Sequence, residues 1–118
     1  MVRIEHIAEA ALNGDSLKTR SLVQDFFQAG PQLSQIAPPD TDDNQLLAAC
    51  AALLELFALR LKQTAPAWTT TIGPVSEPVY LLKSAATMKR LRDLCEKDSP
   101  EPLRKRRFFA PPNYLEFV

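Results

Sequence analysis

The chain has 118 residues, 46% of them apolar and 24% charged, a balance that suits one soluble globular domain burying about two-thirds of its unfolded surface. Fourteen basic residues offset fourteen acidic ones, so no overall field draws the protein onto nucleic acid or an anionic membrane. Residues 1–64 carry five Lys/Arg against eight Asp/Glu, and residues 65–118 carry nine against six, which leaves a mild dipole along the sequence.

The N-terminus sets Glu5 and Glu9 beside Arg3 and His6 and lacks the basic start and apolar core of a secretory signal. With no apolar run reaching the ~18 to 20 residues of a membrane helix, a cytoplasmic protein with no membrane contact is expected. Prolines stand at 31, 38, 39, 66, 74, 78, 100, 102, 111 and 112. A proline inside a helix removes a hydrogen bond and clashes with the preceding turn, at about 3 kcal/mol, so the helices must lie in the three long intervals between these markers.

In the first interval Ile4, Ile7, Ala8, Ala11 and Leu12 recur at helical spacing. Asn13-Gly14-Asp15-Ser16 then gives a left-handed stop and a new N-cap. A second helix carries Leu17, Leu22, Val23, Phe26 and Phe27 on its apolar side and ends at Gly30-Pro31, so the two form a helical hairpin. Residues 31–40 make a Pro-containing connection that Leu33 and Ile36 can pin to the core.

From Leu46 to Leu61 fourteen of sixteen residues are apolar, interrupted only by Glu55 and Arg60. Thr41, Asp42 and Asp43 supply capping oxygens and negative charge at the helix start, which predicts a helix from there to about Gln63. Leu47, Cys50, Leu54, Phe57 and Leu61 form its seam, and Asn44, Ala48, Glu55 and Lys62 its polar stripe. A helix so apolar sits inside a bundle or in an oligomer interface, which motivates a homodimer.

Trp68-Thr69-Thr70-Thr71-Ile72 is rich in β-branched and aromatic residues, and Gly73-Pro74 turns the chain before Val79-Tyr80-Leu81-Leu82. An extended crossover with little sheet is expected, the alternatives for Val79 to Leu82 being a minor hairpin with residues 68–72 or the first turn of the next helix. Ser84 can cap a helix through Lys97, with Met88, Leu91, Leu94 and Cys95 inward. Ser99-Pro100-Glu101 opens one more short helix over Leu103 to about Arg107. The fold class is therefore mainly α: a single domain over residues 1–118, four to five helices packed around a central apolar one.

Chemistry-bearing residues are few. His6 is the single histidine and has no sequence neighbour marking it as a base, glycines 14, 30 and 73 stand alone, and no metal-ligand spacing occurs. Cys50 and Cys95 fall on apolar helix faces and read as inert buried thiols. These features point away from an enzyme, a cofactor or a small-molecule substrate. Two features suggest binding instead. Arg104-Lys105-Arg106-Arg107 is a candidate phosphate-binding cluster. Residues 108–118 hold four of the nine aromatics, and Phe108, Phe109, Tyr114, Leu115 and Phe117 read as an element that closes its own core or enters a partner's groove. Pro111-Pro112 would hold that element extended.

Several words resemble a group of small bacterial proteins encoded beside nucleotidyltransferase-like, toxin–antitoxin-type genes. They are Leu17 to Phe27, the central Ala/Leu helix, Trp68 with Gly73-Pro74 and Glu77-Pro78-Val79-Tyr80, and the tail words Ser99-Pro100-Glu101-Pro102-Leu103-Arg104 and Ala110-Pro111-Pro112-Asn113-Tyr114-Leu115. The resemblance implies an accessory or antitoxin-like role in protein–protein interaction, with no catalytic residues. The alternative is a small nucleic-acid-binding regulator using residues 104–107.

Overall fold

The structure, a computed structural model, describes residues 2–115. Helix α1 (Ile4–Leu12) begins where the Arg3 N–H donates to His6 Nδ1 at 3.1 Å, so the lone histidine reaches back to satisfy one of the orphan donors at the helix start. Asn13 closes α1, and Gly14 turns the chain at φ +71°. The lysine stem of Lys83 packs so close there that a Cβ would meet its Cγ at 2.4 Å. Both the left-handed backbone and this approach require glycine. Asp15 then caps α2 (Ser16–Gln28), accepting from the Lys18 N–H at 3.1 Å. The predicted hairpin is present: α1 packs on α2, and both Phe26 and Phe27 stack edge-on or tilted against Phe57 of the central helix. Leu17 is a correction, because it stands 82% exposed instead of joining the apolar side of α2.

The central helix α3 (Asn44–Leu61) starts on Asp43, whose Oδ1 accepts from the N–H groups of Gln45 and Leu46 at 2.9 and 3.2 Å. It stops where Lys62 turns left-handed at φ 56° and both Lys62 and Gln63 donate to the Ala58 carbonyl. Every residue from 48 to 58 apart from Glu55 is buried. Its flanks are α1, the helical turn Glu101–Arg104 and the turn Ala67–Thr71. The expected stripe and seam both shift: Ala48 is buried and Glu55 half-covered, whereas Leu59 and Leu61 face outward. At 18 residues and mean hydropathy 1.4, α3 is long and apolar enough to cross a membrane by length and composition alone, with Glu55 and Arg60 within it. Here its residues 48–58, apart from Glu55, are buried in the chain's own bundle, and Leu59 and Leu61 stay exposed near its end.

Leu33 is fully buried and Trp68 Nε1 donates to the Ile36 carbonyl at 2.8 Å, which pins the Pro-containing connection as expected. Residues Ala67–Thr71 form a 3-10 turn, not an extended strand. The cause lies in the threonines themselves: Thr69, Thr70 and Thr71 each turn the hydroxyl back to the carbonyl three residues earlier, at 2.8 to 2.9 Å. Such local bonds favour the helical turn over β-propensity.

Strand β1 (Val79–Tyr80) pairs in parallel with β2 (Phe108–Phe109), in the register Val79 to Phe108 and Tyr80 to Phe109. The short sheet therefore joins the crossover to the C-terminal segment, and residues 68–72 take no part in it. Between the strands, Lys83–Ala86 makes a 3-10 turn and α4 spans Lys89–Asp98. Helix α4 starts later than Ser84 implied, and Met88 and Leu94 are 55% and 40% exposed, leaving Cys95 as its buried anchor. The single turn α5 (Glu101–Arg104) follows Pro100. Its predecessor Ser99 serves not as a cap but as a strut, with its buried hydroxyl between the Cys95 carbonyl and the backbone of Ala110. The radius of gyration, 13.2 Å, is close to the ~13.5 Å of a single domain of this length.

Candidate interaction site

The four adjacent cations at 104–107 do not form one surface. Arg106 is 3% exposed and turns into the protein, where its guanidinium grips the Glu55 carboxylate in bidentate fashion at 2.6 and 3.1 Å. Its other N–H groups donate to the carbonyls of Thr69 (2.7 Å), Ile72 (3.2 Å) and Pro102 (3.4 Å). All five guanidinium donors are thus placed, and the side chain ties α3 to the threonine turn and to α5. Lys105 adds a 2.8 Å ion pair to the same carboxylate from a half-exposed position. Burial alone would raise the Glu55 carboxyl, but the bonds from Arg106 and Lys105 outweigh it and hold the group down to about 2. Only Arg104 and Arg107 keep exposed guanidinium groups, donating to the carbonyls of Lys97 (3.0 Å) and Ser76 (2.8 Å). A phosphate approaching Arg106 would have to displace the Glu55 carboxylate, so Arg106 belongs to a clasp, whereas Arg104, Lys105 and Arg107 stay exposed.

One signal for this clasp is present in the sequence. Glu55 is the one acid in the Leu46 to Leu61 run, and a carboxylate in such a place needs a cation from elsewhere in the chain.

The tail residues separate too. Phe108 and Ala110 are fully buried, Tyr114 and Leu115 nearly so, and Phe109 is half-exposed. Phe117 lies outside the described residues. Pro111 to Tyr114 form a tight turn closed by the Tyr114 N–H on the Pro111 carbonyl at 2.9 Å, not an extended rod. Arg60 at the end of α3 holds that turn by donating to the Tyr114 carbonyl at 2.5 Å. Up to Leu115, then, the segment closes the chain's own core.

Two concave surfaces border the tail. The first, about 340 Å³, lies where the start of α2 meets the tail and is lined by Ser16, Leu17, Arg20, Leu82, Tyr114 and Leu115 among others. The Tyr114 hydroxyl is buried without a hydrogen-bond partner among the described residues, and burial raises its phenol. The second, about 400 Å³, is lined by Pro78, Tyr80, Glu96, Arg107 and Phe109. The rings of Tyr80 and Phe109 sit 5.6 Å apart at 35°. The Tyr80 hydroxyl donates to Glu96 Oε1, and that bond pushes its phenol up to about 12.

Cys50 is buried under α1, and burial with the nearby charges of Glu5 and Glu9 pushes its thiol up to about 12, far from the thiolate that nucleophilic or metal chemistry needs. Among the described residues no group of three or more His, Cys, Asp or Glu side chains is placed to hold a metal ion. No protein-family model matches this chain, and neither the curated proteins nor the solved structures contain a match to it.

Proposed function

We propose that the protein is a non-enzymatic interaction module of the cytoplasm, of the accessory or antitoxin-like kind that its sequence words suggest, and that it binds a protein partner at the cleft between α2 and the tail. The observation that supports this is Leu17, a large apolar side chain left 82% exposed at a cavity that also has Leu82, Tyr114 and Leu115 in its lining. An exposed apolar group at the edge of a concave surface is where a partner side chain gains most from desolvation. Ser16 and Asn113 give the rim polar groups that can set orientation.

The test is Leu17→Asp. Since Leu17 contributes little to the core, the melting temperature should stay within a few degrees of wild type. Affinity capture from the native host should recover a specific protein with the wild-type chain and lose it with the variant. The same pair of proteins in sedimentation equilibrium tests whether a second copy is the partner. Capture that is unaffected by Leu17→Asp, or no partner and no self-association at all, would end this reading.

A further inference from the structure

The aromatic shelf of Tyr80 and Phe109 stands apart from the α2 cleft and has different surroundings. Both rings are half-exposed and line one open concavity, and their parallel β1–β2 register holds them side by side on one face of the two-stranded sheet. The hydroxyl bond to Glu96 fixes the Tyr80 ring from α4. Arg107 stands in the wall, kept there by its own bond to the Ser76 carbonyl, and Arg92 lies near enough to act on the Tyr80 phenol. From residue 83 to 107 there are nine Lys/Arg against four Asp/Glu. Arg106 is turned inward onto Glu55, yet Lys83, Lys89, Arg90, Lys97, Arg104 and Arg107 remain exposed. The connection between the two strands is therefore net positive even though the whole chain is neutral.

We propose that this shelf binds single-stranded nucleic acid, with bases stacking on Tyr80 and Phe109 and phosphates running past Arg107 toward the exposed cations of α4, Lys89, Arg90 and Lys97. Flat aromatic surface bordered by cations is what an unpaired strand can use and a duplex, whose bases are already stacked, cannot. Glu96 has a second carboxylate oxygen that can accept from a base amino group, while the exposed cations supply the salt-sensitive part of the affinity. The site differs from the run at 104–107 in needing neither Arg106 nor Lys105.

Fluorescence anisotropy of a labelled single-stranded oligothymidylate of about twelve nucleotides, titrated with the full chain at about 20 mM salt, tests the proposal. Saturable binding that weakens steeply with salt is expected, with a duplex of the same length bound more weakly. Tyr80→Leu and Phe109→Leu should each weaken the single strand about tenfold, Tyr80→Phe should retain most of the affinity, and Leu17→Asp should leave it unchanged. The last arm keeps this proposal separable from the cleft at Leu17. Absence of binding at low salt overturns it, as does equal affinity for duplex. Binding that ignores Tyr80→Leu reduces the surface to charge alone and overturns it too. Equally tight binding of polyglutamate, displaced by the same substitutions, would mean that the shelf takes acidic protein instead. Should Phe109→Leu fail to fold by circular dichroism, the Tyr80→Leu and Tyr80→Phe pair decides, since Tyr80 is half-exposed.

Discussion

Arg106 and Glu55 show how one side-chain pair can set the position of a whole segment. An arginine is suited to the place because its planar fork satisfies a carboxylate with two bonds and still has donors for three backbone carbonyls. Removing either partner leaves an uncompensated charge or unpaired polar groups behind, which costs about 3–5 kcal/mol for a buried pair. The lowered carboxyl of Glu55 also makes a pH prediction. A glutamate near 4.3 in the unfolded chain and at about 2 when folded adds stability that is fully present above pH 4.5 and is lost as the pH falls toward 2. Urea unfolding followed across that window should show the decline in wild type. Glu55→Gln should be less stable at neutral pH by on the order of 3 kcal/mol and should lose less on acidification, because the titrating group is gone.

Among the elements, α3 and the C-terminal segment depend on each other. The helix forms on local grounds, with an Asp43 cap and a run of good helix formers, but it ends on Lys62 in a left-handed conformation that costs a non-glycine residue about 1 kcal/mol. Lys62→Gly should therefore stabilise the protein by about that amount, read as a melting temperature higher by a few degrees. The tail is the opposite case, an element with almost no regular structure of its own that owes its place to packing. Phe108 is fully buried and β2 is bonded on one side to β1 while Ser99 bonds the following Ala110. Phe108→Ala should cost about 3–5 kcal/mol in urea unfolding, an effect that a freely presented docking aromatic would not show.

At the scale of the whole molecule, one apolar helix is wrapped by the α1–α2 hairpin on one side and by the threonine turn and α5 on another. Leu54 lies at 0% exposure in that core, so Leu54→Asp should bury an unpaired charge and leave a chain without a cooperative thermal transition by circular dichroism. The mainly helical fold was legible from the residues because its causes are local: prolines marked the breaks, Gly14 with Asp15 made the hairpin turn, and the Leu46 to Leu61 run had no stable alternative to burial. Sequence reading was weaker where the cause lies far along the chain. That Arg106 would leave its basic neighbours for Glu55, 51 residues away, that β1 would pair with the tail, and that Leu17 would be left outside were decided by tertiary packing. Periodicity reports which side of an element is apolar, whereas the choice of partner for a buried charge or a free strand edge depends on what the folded chain brings within hydrogen-bond distance.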